Sequence, residues 1–137
     1  MKKFLAVMVC ILTLLSVFSV VTYASEEENP LPYLSNPCKT NTNFVIDANG
    51  NAKTTALLEV YDDGMISATI KTKIQKRFLF FFWQDVTEWI DETDENSYLA
   101  SHSITVDSGT YKAIVEYTIR GTGGDPDVIT DEIERTH

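Results

Sequence analysis

Few residues in this chain stand at the spacings that metal or acid–base chemistry requires. There are two histidines, His102 and His137. Neither has a cysteine or a second histidine at ligand spacing, so no zinc centre is expected. His102 falls in phase with the apolar side of a strand, where a structural or rim role is expected. Asp47-Ala48-Asn49-Gly50-Asn51 opens like a calcium loop. Leu58 stands where such a loop needs its closing glutamate, so a hairpin turn is expected instead. Asp125, Asp127 and Asp131 form another acidic set. A solvated loop is expected there, with a calcium ion held together with backbone carbonyls as the alternative. No G-x-S-x-G run leads from a strand into a helix. Carboxylate pairs of the glycosidase kind stay open, because acidic residues are common and their separations are not legible in a sequence. The expectation is a protein with no catalytic residue, cofactor or metal ligand; a secreted enzyme or enzyme inhibitor is an alternative.

The composition that does stand out suits a non-enzymatic binding or surface-interaction module, with a membrane-active protein that inserts a hairpin as the alternative. After Gly64, the run Met65 to Trp83 contains no Gly, Pro, Asn or Asp. As one strand it would far exceed the usual length of about 3–10 residues. The chain must therefore turn, and Arg77 to Phe82 is the expected place. Alternation sends Phe78, Phe80 and Phe82 to one side and Leu79, Phe81 and Trp83 to the other. One side then needs a cover, or stays wet. The possible covers are the segment Leu31 to Leu34, a second copy of the chain, a partner protein or a membrane. Lys71, Lys73, Lys76 and Arg77 crowd beside this run in an otherwise acidic chain. Basic plus aromatic is the composition of an interfacial anchor. It would also suit an acidic protein surface or a self-association patch. The candidate interaction residues are Lys73, Lys76, Arg77, Phe78, Phe80 and Phe82.

The elements that must position these residues begin after a leader. Lys2 and Lys3 precede an apolar run from Phe4 to Val21, and Thr22-Tyr23-Ala24 supplies small residues before a cut. This is the pattern of a secretory signal peptide over 1–24, cleaved after Ala24, with an uncleaved anchor as the alternative. Cys10 lies within the apolar run behind Val9, which is not a lipidation context. With Lys2 and Lys3 removed, nine basic residues face 20 acidic ones, a net charge of −11. So acidic a surface argues against nucleic-acid binding and favours a soluble extracellular protein. Cys38 survives alone, as a free thiol or as the link of a homodimer.

Ser25 to Thr42 is rich in Glu, Pro, Ser and Asn and reads as a flexible lead, with the folded domain expected over 43–137. Within it, Phe44 to Ile46, Asn51 to Tyr61, a run from Met65, Gln84 to Asp91, Tyr98 to Val106, Thr110 to Gly121 and Val128 to Arg135 read as strands. Ile66, Ala68, Ile70 and Ile74 are expected to share one face of the third. Tyr111, Ala113, Val115, Tyr117 and Ile119 make the clearest period of two. Thr122 to Asp127 reads as a loop. About seven short strands with turns between them, and no helical run, predict an all-β sandwich.

Asp107-Ser108-Gly109-Thr110-Tyr111-Lys112-Ala113 resembles the D-x-G-x-Y-x-C run of immunoglobulin-type domains, with Ala113 at the cysteine position. The resemblance implies a single immunoglobulin-like or fibronectin-type sandwich of antiparallel strands without the inter-sheet disulfide. It implies that the Tyr111 hydroxyl bonds to backbone upstream, and that the first, second and fifth strands form one sheet and the rest the other. A broader set is Gly50 and Ala52, Ile74-Gln75-Lys76, Trp83, Val86 and Trp89, and Gly109 to Lys112. It is similar to a family of small secreted proteins of Gram-positive anaerobes, a domain of unknown function. That resemblance implies a compartment and a β fold, with Asp107, Gly109, Tyr111, Trp83 and Trp89 as structural residues. The family's hairpin before the first tryptophan turns on polar residues with Asn or Gly; here the segment is Arg77 to Phe82.

Overall fold

In the computed structural model, residues 36–61, 64–122 and 124–137 are described. The expected leader, its cleavage site at Ala24 and the segment Leu31 to Leu34 lie outside them. Seven strands follow in order: β1 (Cys38–Ile46), β2 (Asn51–Val60), β3 (Met65–Phe78), β4 (Phe82–Thr93), β5 (Ser97–Thr105), β6 (Thr110–Gly121) and β7 (Asp127–Thr136). They pair antiparallel in two sheets, β1-β2-β5 and β4-β3-β6-β7. This is the split expected from the sequence, in a β-sandwich with no helix among the described residues.

The period of two in β6 is what organises the core. Tyr111, Ala113, Val115, Tyr117 and Ile119 are all buried. Towards one end, Val115, Tyr117 and Ile119 pack with Ala68 and Ile70 of β3 and with Ala56, Leu58 and Val60 of β2. Towards the other end, Tyr111 and Ala113 pack with Phe44, Ala52 and Ile74. Alanines on both sheets let the layers approach, so dispersion and water exclusion close the core. Tyr117 carries its polar tip to the sandwich edge. Its hydroxyl donates to Thr42 Oγ1 at 2.7 Å, and Thr42 donates to the Asp131 carboxylate at 2.6 Å, linking β1 to β7.

Several expectations are corrected. β1 already starts at Cys38, so the folded part begins ahead of Asn43. The sequence hid this because the inward positions before Phe44 are Cys38, Thr40 and Thr42, which give no strong apolar signal; pairing to β2 supplies the order. Ile66, expected in the core, is exposed, because the register shifts between Met65 and Ser67 and throws it out of phase. Asp127 is no loop residue. It opens β7, is buried, and accepts hydrogen bonds from Asn36 N at 2.8 Å and Nδ2 at 2.7 Å. That contact holds the start of the described chain beside Gly121, where a Cβ would meet Asn36 Oδ1.

Candidate functional site

β3 and β4 form a hairpin that outruns its neighbours. The pairing reaches Phe78↔Phe82, while β6, on the other side of β3, pairs no further than Lys76↔Tyr111. The chain turns through Leu79, Phe80 and Phe81, inside the expected Arg77 to Phe82. Phe81 N–H donates to the Leu79 carbonyl at 2.9 Å, closing a three-residue turn around Phe80. Leu79 and Phe80 take φ of 47° and 68°. Turns of this hand favour Gly and Asn; a large side chain there costs on the order of 1–3 kcal/mol per residue.

Among the described residues, nothing covers the tip. Phe78, Leu79, Phe80, Phe81 and Phe82 are all exposed, from 57% at Phe78 and Phe82 to 91% at Phe80. The expected division into a covered and an uncovered side does not occur, because the hairpin ends beyond the opposite sheet. The internal contact is among the tip residues themselves: the Phe81 and Phe82 rings lie 4.6 Å apart.

Below the tip stands a collar of charge. Trp83 pairs with Arg77 across the hairpin, and its ring lies under two cations, Arg77 at 4.9 Å and Lys112 at 4.6 Å. Trp83 is therefore a half-buried surface residue of the outer sheet face. Each cation also has an acidic partner. Arg77 bonds Glu134 at 2.7 Å, Lys112 meets Glu132 at 3.3 Å, and Lys73 meets Asp85 and Glu88 at 3.3 and 3.4 Å. Lys71 meets Glu88 at 3.5 Å. Hydrogen bonds from these neighbours, Asp85 first, raise the Lys73 ammonium above its usual range. The sequence showed the basic side of this cluster; the acidic side comes from β4 across the hairpin and from β7 and the β5–β6 turn, which are remote in the chain.

The β5–β6 turn supplies the last pair. Lys76 donates to both Asp107 oxygens, at 2.7 and 2.8 Å, and lies 5.6 Å over the Tyr111 ring. The Tyr111 hydroxyl donates to the Asp107 carbonyl at 3.0 Å and to its carboxylate. This is the upstream backbone bond expected of a corner tyrosine. Lys76, then Tyr111, holds the Asp107 carboxyl down to about 2. At Gly109, φ is 155°, and a Cβ would meet Lys76 Cε at 2.9 Å, so a side chain there would have to displace the lysine. The groups border a cleft of about 470 Å³, whose other wall includes Val86. Val86 is the extra residue of a β-bulge opposite Ile74 and Gln75. Lys76 and Asp107 neutralise each other there.

The candidate chemical residues disperse. His102 sits on the inner side of β5, its Nε2–H donating to the Asp91 carboxylate at 2.6 Å. Its ring stacks on Trp89, centroids 4.8 Å apart and 6° from parallel. This clasp between β4 and β5 was not legible, since Trp89, Asp91 and His102 meet through topology alone. Asp47 caps a hairpin turn: its Oδ1 accepts from Asn49 and Asn51 N–H, both at 2.9 Å, and Gly50 takes φ of 76°. Asp127 and Asp131 serve Asn36 and Thr42, as described. Among the described residues, no three His, Cys, Asp or Glu side chains are grouped to hold a metal ion. Cys38 is a half-buried free thiol, pushed up by burial and then by Asp127, which makes it a poor nucleophile.

No protein-family model matches the chain, and neither the curated proteins nor the solved structures contain a significant match.

Proposed function

We propose that this protein is a secreted, non-enzymatic binding module whose β3–β4 tip is its docking element. The observation that carries the reading is a double cost at one place. Five consecutive large apolar side chains are exposed there, and two of them hold the left-handed backbone. The tip surface is on the order of 600 Å², the upper end of what a monomer leaves open. Neither feature stabilises the fold, so both make physical sense only when the tip is covered by something else. Secretion is inferred from the leader, the net acidic charge and the absence of a basic footprint. We further read the domain as immunoglobulin-like, on the strand split and the Tyr111 corner.

The reading is tested on a phenyl-type apolar matrix at moderate salt. The wild type should be retained, and the variant Phe80→Ser with Phe81→Ser should elute early. Equal retention of the two would mean that the tip is not available for docking.

A further inference from the structure

We infer that the tip's partner is a lipid bilayer, entered by hydrophobic insertion and not by attraction to anionic headgroups; this rests on the docking reading above. The first support is shape. Exposure at the tip is not confined to one face, since the cross-strand pair Phe78 and Phe82 and all three turn residues, Leu79, Phe80 and Phe81, are open. A flat protein surface would cover one side of such a finger. A second copy would meet it convex against convex. A bilayer encloses it from every side.

The second support is height. The Trp83–Arg77 pair stands one strand residue below the Phe78–Phe82 pair, with the turn around Phe80 beyond it, a height of at most about 10 Å over three residues. That matches the depth of about 5–10 Å to which interfacial elements enter the headgroup and acyl boundary. Trp83, Arg77 and Lys112 then sit at headgroup level, where an amphipathic ring and long cationic side chains are most favoured. The third support is charge. Arg77, Lys112, Lys73 and Lys76 are each matched by a carboxylate. Those four cations are spoken for, and the whole chain is acidic. Neutral or zwitterionic lipid is therefore the fitting surface.

The test is flotation with phosphatidylcholine vesicles, with and without anionic lipid, at low and high salt. The wild type should float on pure phosphatidylcholine at both salts with no gain from anionic lipid at either salt, and Phe80→Ser with Phe81→Ser should partition at least tenfold less. Binding confined to anionic vesicles at low salt would overturn insertion in favour of charge attraction. Retention on the phenyl matrix without flotation would overturn lipid as the partner while leaving the docking reading standing. The same holds if sedimentation shows a dimer that the double variant loses. Failure on both matrix and vesicles would remove the docking reading itself.

Discussion

Tyr111 and Asp107 show how single side chains hold the open end of the sandwich. The Tyr111 ring is fully buried in the second core cluster, and its hydroxyl ties the turn before β6. Asp107 completes the turn by accepting from Lys76 and Tyr111, which holds its carboxyl at about 2 against an ordinary 3.8. A carboxyl depressed in this way favours the fold while it is ionised. Its contribution is full above 3.8 and is lost as the pH falls through about 2. Wild-type melting temperature should therefore decline between about pH 4 and 2. Asp107→Asn should melt lower than wild type at pH 6 but decline less through the same acid window. Parallel declines in the two proteins would show that the Lys76–Asp107 pair contributes nothing to folding. The corner was legible through the resemblance that the seven residues from Asp107 to Ala113 carry. The His102–Asp91–Trp89 clasp is equally ordered but depends on β4 and β5 facing each other across the sandwich, which no local pattern states.

Among the elements, the β3–β4 hairpin is where local preference and structure disagree most. The sequence requires a turn between Arg77 and Phe82 because no strand runs so long, and the turn falls there. It does not state the turn's form, because Leu and Phe carry no turn chemistry. Nor does it state that the hairpin projects; that follows from where β6 and the opposite sheet end. Other departures have the same origin. Bulges opposite Ile74 and near Met65 shift the phase within β3 and β4, moving Ile66 to solvent. β1 was longer than its apolar pattern because Thr40 and Thr42 face inward through polar side chains. If the tip keeps large residues for docking, a turn chosen for folding should outperform it in stability. Leu79→Asn with Phe80→Gly places the residues that tolerate positive φ at the two strained positions. Urea unfolding should show a gain of about 1–3 kcal/mol. An unchanged midpoint would mean that the left-handed backbone stores no strain.

At the scale of the whole molecule, the fold and the tip are separate parts of one chain. The sandwich closes over two apolar clusters joined through β6, with its edge tied by Tyr117, Thr42 and Asp131. Its charged collar is balanced pair by pair, and such exposed pairs contribute little to stability individually, about 0–1 kcal/mol. Stability should then reside in residues such as Phe44 and Tyr111, and the apolar mass from Phe78 to Phe82 should add almost none. Equilibrium unfolding of Phe80→Ser with Phe81→Ser beside wild type measures this most directly. The account predicts that the two unfold within about 1 kcal/mol of each other, as surface substitutions do. A loss of about 3 kcal/mol or more, the size of a core phenylalanine truncation, would contradict it and make the tip part of the fold.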